Sequence, residues 1–197
     1  MSDIAHAFTT EVPRWRSRLA LVDLDNATPE QRDALKITPS NMKVSDYLLT
    51  LAHDPQALKH RSLLFNAIMY DQGGLSRAER ELGAMGASLV NGCIYCMAAH
   101  ASRFISLTKR ADVVEAIFEH GPAAQIEPRM KAILDFAVKL SKSPVAVAVK
   151  DIESLRQAGL SKLEIHDIIQ CVALFGWANR LMHSLGDPIK ADRPDAR

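Results

Sequence analysis

The chain has 197 residues, 48% of them hydrophobic and 24% charged, and 24 Lys and Arg against 23 Asp and Glu give a net charge of +1. This is the make-up of one globular domain; it excludes disorder and collagen-like repetition and argues against a dedicated binder of nucleic acid or anionic membranes. Three cysteines, two of them three residues apart, are too few for the disulfide framework of a small secreted domain.

The opening segment MSDIAHAFTTEVPRWRSRLA lacks the basic start and apolar stretch of a secretory signal, so a cytoplasmic protein is expected. Residues 1–38 read as an N-terminal arm with one short helix, opened by the capping box Thr28-Pro29-Glu30-Gln31. Asp54-Pro55 starts a helix running to about Tyr70, and Gly73-Gly74 breaks the chain. Ser76-Arg77-Ala78-Glu79 is a second capping box, opening a helix that ends near Asn91-Gly92 and carries Leu82, Met85, Leu89 and Val90 on one face.

Leu82 to Ala99 runs 18 residues without a formal charge, but Asn91-Gly92 interrupts it, so two buried helices meeting at a turn are expected rather than a membrane span. Further helices follow from Gly92 to about Leu107, Ala111 to His120 and Pro128 to Leu140. Val145, Val147 and Val149 alternate with other residues but have no partner strand, so this stretch reads as a loop before a helix ending at Gly159. Ser161-Lys162-Leu163-Glu164 then opens a long last helix to about Leu185.

The fold class is therefore all-α, with a helical domain over residues 39–187. The polar tail DPIKADRPDAR, residues 188–197 in the main, is expected to fray. Leu75-Ser76-x-x-Glu79 and Leu160-Ser161-x-x-Glu164 form a short internal echo, too brief to establish a duplication.

One segment carries chemistry, from Glu81 through Cys93-Ile94-Tyr95-Cys96 to His100. The Cys-x-x-Cys pair falls at the start of a core helix, where backbone N–H groups and the helix dipole favour a thiolate. Helical geometry puts Cys93, Cys96 and His100 within an arc of roughly 60°, with His100 about 6 Å along the axis from Cys96 and about 10 Å from Cys93. Reversal at Asn91-Gly92 brings Glu81 of the preceding helix to the height of His100. A glutamate bonded to the imidazole could orient it to shuttle the thiol proton, completing a Glu, His and Cys relay.

The spacing Glu-x11-Cys-x2-Cys-x3-His resembles the alkylhydroperoxidase AhpD core of the carboxymuconolactone decarboxylase superfamily, more narrowly its peroxidase-related proteins. The run AGLSKLEIHDIIQCVALFGWANRLMHSLGD, with Asn179-Arg180, is similar to the last core helix of that family. The resemblance spans roughly residues 40–187. It implies an AhpD-like helical domain assembled as a homo-oligomer, commonly a trimer or hexamer.

It further implies that Cys96 is the peroxidatic thiol, Cys93 the resolving thiol, and His100 with Glu81 the relay that activates Cys96. The implied activity is thiol-dependent reduction of alkyl hydroperoxides without metal or organic cofactor. The resulting disulfide is returned to the dithiol by a lipoyl-bearing or thioredoxin-like protein. Tyr95 departs from the best-studied members, which have a histidine between the cysteines, and tyrosine does not take up a proton near neutral pH.

Other readings stand beside this one. The two cysteines are alternatively inert buried thiols, or zinc ligands with His100 and a distant His166 or His183. Glu81 with Glu79 and Arg80 is alternatively a solvated charged patch. Cys171, within IIQCVALF, reads as core, and Leu174, Phe175 and Trp177 as core, subunit contact or a wall above Cys96; Asn179 has no distance from sequence. The functional rivals are a thiol-disulfide oxidoreductase or adaptor, and an oligomeric redox sensor with little turnover.

Overall fold

The computed structural model describes residues 3–37 and 44–190, which divide into two compact units. The first unit holds β1 (Arg14–Ser17), α1 (Pro29–Lys36), α2 (Asp46–Leu51), α3 (Pro55–Tyr70) and β2 (Gly186–Ile189). Thr28 and Gln31 close the expected capping box on α1, and Asp54 caps α3 ahead of Pro55. The short α2 was not expected; Ser45 caps it through the Leu48 N–H, but its 6 residues are too few to display a hydrophobic period. Val22, Ala34, Leu35, Ala52 and Leu58 form the core here, each large side chain contributing about 1.5–3 kcal/mol when fully buried.

The sequence reading assigned no strand and expected the tail to fray from Asp187, and both points are corrected by the pairing of β1 with β2. The strands run antiparallel, with Arg14 opposite Ile189 and Ser17 opposite Gly186. Trp15 anchors them. Its ring meets Tyr47 edge-on at 5.5 Å between centroids, and it covers Gly186 so closely that a Cβ there would lie 2.3 Å from Trp15 Cζ2. Arg18 donates to the carbonyls of His183 at 2.7 Å and Ser184 at 3.2 Å and pairs with Asp187, filling acceptors that a helix end leaves open. Residues 191–197 of the tail lie outside the described residues. So small a sheet leaves the chain all-α in class.

The second unit holds α4 (Arg77–Asn91), α5 (Ile94–Thr108), α6 (Ala111–His120), a 3-10 turn at Gly121–Ala123, α7 (Pro128–Ser141), α8 (Val149–Gln157) and most of α9 (Lys162–Leu185). The valine-rich stretch is loop as far as Ala148, and α8 begins at Val149. Among the described residues no helix is long and apolar enough to cross a membrane. Leu82 and Met85 are fully buried, whereas Leu89 is half-buried and Val90 exposed as α4 ends.

Helix α4 is the centre of this unit, and two glycines let its neighbours approach. A Cβ at Gly86 would lie 2.6 Å from the Ala137 Cβ of α7, and one at Gly83 would lie 2.3 Å from Ile168 Cδ1 of α9. The internal echo also has a physical counterpart. Ser76 with Glu79 and Ser161 with Glu164 each exchange capping hydrogen bonds. Arg129 of α7 then bridges the two boxes, reaching Glu79 Oε1 and Glu164 Oε1, each at 2.5 Å.

Gly86→Ala is expected to destabilise the protein by about 1–3 kcal/mol, because the new methyl meets another Cβ on a packed helix rather than a yielding side-chain end. Denaturant unfolding measures this. The double variant Gly86→Ala with Ala137→Gly should recover part of the loss.

Candidate active site

The turn between α4 and α5 determines where the thiols stand. Gly92 takes a left-handed conformation, φ 65°, and the N–H groups of Gly92 and Cys93 return to the carbonyls of Leu89 at 3.4 Å and Ser88 at 3.0 Å. This is the Schellman closure of α4, for which glycine is the residue of least strain. Cys93 is thereby the N-cap of α5, its carbonyl accepting from the Met97 N–H at 2.9 Å. Cys93 is 3% exposed and Cys96 7%, and neither they nor Cys171 form a disulfide.

Chain reversal at this turn packs α5 back along α4 and brings Glu81 to His100. His100 Nδ1 donates to Glu81 Oε2. Arg77 donates to the other oxygen, Oε1, from Nε at 2.7 Å and from Nη2 as well. Arg77 was missed by the sequence reading, although its spacing of four residues from Glu81 on one helix is a signal for such a pair. Glu81 is 0% exposed, which excludes the solvated patch. Its neighbour Arg80 is also buried and spends its donors on the Gly73 carbonyl at 2.8 Å and Asp167 at 3.1 Å.

Burial pushes the Glu81 carboxyl up, but the charge and hydrogen bond of His100, reinforced by Arg77, outweigh it and hold the group below its ordinary value. At the thiol pair the Cys96 side chain hydrogen-bonds Cys93. That bond favours the Cys93 thiolate, burial opposes it, and the Cys96 backbone N–H and the Asn179 side chain add support, so Cys93 is held below the ordinary cysteine range.

Helix α9 supplies the remaining wall. Phe175 meets the His100 ring edge-on, 4.2 Å between centroids at 79°. Asn179, which sequence could not place, is fully buried, donates to Ser88 Oγ at 3.3 Å and accepts from Asn91 Nδ2 at 3.1 Å. Trp177 is exposed and Leu174 buried. Cys171 donates to the Arg80 carbonyl at 3.1 Å, and burial, then the Glu81 charge, push its thiol far up, as befits a core residue. His166 and His183 are exposed. Among the described residues no group of three or more His, Cys, Asp or Glu side chains is placed to hold a metal ion.

Because the folded Glu81 carboxyl is held below its unfolded value, its contribution to stability is fully present above about pH 4.3 and is lost as the pH falls through the folded value. Glu81→Gln is expected to flatten this acid limb and to lose about 1–3 kcal/mol at pH 7 by leaving buried donors poorly paired. Unfolding free energy measured from pH 3 to 7 checks both.

The chain is similar to known proteins. The Carboxymuconolactone decarboxylase family matches residues 55–139. A solved structure of an alkylhydroperoxidase AhpD core, an uncharacterized peroxidase-related protein from Ralstonia eutropha JMP134, is 30% identical; it covers 89% of this chain and 93% of its own, with a TM-score of 0.77. An uncharacterized peroxidase-related protein from Silicibacter sp. TM1040 is 26% identical, covering 87% of this chain and 91% of its own at a TM-score of 0.74. The debrominase Bmp8, 20% identical, covers 89% of this chain and 94% of its own at a TM-score of 0.74, and so shares the fold. No curated protein matches significantly. On the family match and the 30% identity over nearly the whole of both chains, this chain belongs to the carboxymuconolactone decarboxylase superfamily, among its AhpD-like proteins.

Proposed function

We propose that this protein is a thiol-dependent peroxidase that reduces alkyl hydroperoxides through a Cys93–Cys96 dithiol/disulfide cycle. The observation that carries the reading is the buried contact of Glu81 with His100, one helical turn beyond Cys96 on α5. Glu81 occupies Nδ1, so in the neutral imidazole Nε2 is the atom left to take the proton of Cys96. The Cys96 thiolate attacks the terminal peroxide oxygen; the O–O bond breaks, Cys96 becomes a sulfenic acid, and the departing alkoxide takes the proton from His100. The Cys93 thiolate then attacks the Cys96 sulfur and expels hydroxide, which leaves as water once protonated. Two electrons pass from the dithiol to the peroxide, giving alcohol, water and the disulfide.

An external dithiol closes the cycle by exchange, and a lipoyl-bearing or thioredoxin-like protein fits that chemistry. Such a cycle belongs to a compartment kept reducing, which supports a cytoplasmic place. The family resemblance supports a homo-oligomer, trimer or hexamer.

A second reading is favoured by one observation: the Cys93 thiol, at the helix start, is held below the ordinary cysteine range. A low-pKa thiol in that position also suits a thiol-disulfide oxidoreductase or adaptor with little peroxide turnover.

Reduced protein with dihydrolipoamide is expected to consume an alkyl hydroperoxide catalytically. Cys96→Ser should abolish consumption, while Cys93→Ser should allow one oxidation per chain and trap a sulfenic acid or mixed disulfide. Exchanged phenotypes would reverse the roles of the two thiols. One oxidation followed by stalling with both dihydrolipoamide and reduced thioredoxin would instead select the adaptor. His100→Ala should slow alkylation of Cys96 at pH 7, measured in the Cys93→Ser background; an unchanged rate removes the imidazole from activation.

A further inference from the structure

A buried carboxylate beside an imidazole draws a proton onto the ring, because imidazolium and carboxylate together are the uncharged combination. Proton uptake from Cys96 needs the opposite, a ring that rests neutral. Glu81 is 0% exposed and His100 3%, so charges here are little screened by water. Burial opposes the Glu81 charge, but His100 and Arg77 outweigh it, so the carboxylate is ionised at neutral pH. His100 Nδ1 holds Oε2, while Arg77 closes Oε1 with two donors, Nε at 2.7 Å and Nη2. A guanidinium keeps its charge at every working pH.

The place of Arg77 in its helix is an independent sign. It is the first residue of α4, directly after the N-cap Ser76, where the helix dipole disfavours a cation. It also precedes Glu81 by four residues, the weaker of the two orders for such a pair. Local helix energetics therefore favour an acidic or neutral residue at this position. A residue that breaks the local rule while completing a buried site is what a functional constraint produces.

We infer that Arg77 is a positioning residue for the relay, neutralising the Glu81 carboxylate so that His100 rests uncharged and able to take the Cys96 proton. The inference rests on the relay in the proposed function and not on peroxide as the oxidant. Arg77 and Glu81 cancel, so a neutral ring leaves the group uncharged and a protonated ring makes it a net cation in a dry site. Without Arg77 the neutral ring would leave a bare buried anion, which protonation of the ring would cancel. Glu81 orients Nδ1 in both cases, but only with Arg77 does it do so without holding a second proton on the ring. When Cys96 gives up its proton, imidazolium and thiolate cancel, and the site stays balanced.

Other titratable groups stand on the helices around the ring. On α5 they are Cys96 and, at its N-cap, Cys93. On α4, Arg80 is buried and paired with Asp167 of α9, and α9 also carries Cys171, whose thiol feels the Glu81 charge. Helix α9 meets the ring itself with the Phe175 edge. Helix α6, also packed on α5, buries Val113, Val114 and Ile117, while its Asp112, Glu115, Glu119 and His120 are exposed. Arg77 is thus the cation bonded to the carboxylate that holds the ring.

The test uses the full chain and needs no peroxide. The first readout is the pH titration of the His100 ring by NMR, with Cys93→Ser and Cys96→Ser removing the thiol titrations. The second is the pH profile of Cys96 alkylation by iodoacetamide in the Cys93→Ser background. With Arg77 in place the ring is expected to be uncharged at pH 7, and a ring found protonated there would overturn the inference. Arg77→Met, similar in length and without charge, is expected to move the ring titration up by about one pH unit, a tenfold rise in proton affinity. The acid limb of Cys96 alkylation should move up with it.

Arg77→Lys keeps the charge with fewer hydrogen bonds and should return both profiles to within about a third of a pH unit of their starting positions. A merely structural role would lower the unfolding midpoint in both variants and leave the ring titration in place. That outcome, or an equal shift in Arg77→Met and Arg77→Lys, would overturn the inference. If Arg77→Met does not fold, Arg77→Gln, which keeps a donor toward Oε1, is read in the same way. A ring that moves while Cys96 alkylation does not would remove His100 from thiol activation, a failure of the relay and not of the charge balance. If both profiles shift and no hydroperoxide is turned over, the inference stands and the peroxidase reading falls.

Discussion

A carboxylate removed wholly from water is the feature on which this molecule's organisation depends. Burying an ion costs several kcal/mol after relaxation, and the cost is offset only when each oxygen has a good partner. Glu81 has Arg77 on one oxygen and His100 on the other. The first partner lies four residues back on the same helix and comes with the helix itself. The second lies beyond the turn, so satisfying the carboxylate fixes the register of α5 against α4. Once that register is set, the Gly92 turn and the first residues of α5 have one place to go, and the thiols go with them. The glycines at 83 and 86 serve the same end, since a helix that carries a buried ion must be enclosed closely on its other faces.

The two well-buried cysteines Cys93 and Cys171 illustrate how the surroundings, and not burial alone, determine thiol chemistry. Desolvation disfavours the thiolate at both. At Cys93 it is outweighed by donors: the Cys96 thiol, a backbone N–H and the Asn179 amide. At Cys171 the thiol spends its own proton on the Arg80 carbonyl and faces the negative charge of Glu81, and the nearby charges of Arg80 and Arg77 compensate only in part. Both residues belong to helices that line one site, yet only the one at a helix start is equipped to become an anion.

Much of this was legible in the sequence where the information is local. Capping boxes at Thr28 and Ser76, the Asp54-Pro55 start and the Asn91-Gly92 stop act within a few residues, and the helices they bound are present as read. The contact between Glu81 and His100 was legible for a related reason, since two helices joined by a tight turn have a calculable register. What escaped the reading is either too short or too distant. Helix α2 offers 6 residues and no period. Strands β1 and β2 pair across nearly the whole chain, and Pro188 within β2 is a signal against a strand. The link from Asn179 to Ser88 joins residues 91 positions apart, and no local pattern encodes which face of a buried helix meets which. Arg77 was legible in principle through its spacing to Glu81, but it sat inside a capping box whose charges suggest an exposed helix start.

The debrominase shares this fold across most of both chains while only 20% identical, so the arrangement of helices cannot by itself choose a reaction. What chooses is the set of side chains that the helices aim at one point. Here three helices contribute in different currencies: α4 a buried anion with its cation, α5 two sulfurs and an imidazole, α9 an aromatic edge and a neutral amide. The charged parts hold the imidazole, Phe175 meets it edge-on, and Asn179 joins α9 to Ser88 and Asn91 of α4 without adding charge. Such a division keeps the buried charge of Glu81 paired by Arg77 and His100, while the residues of α9 enclose the site without adding an ion that would need a partner of its own.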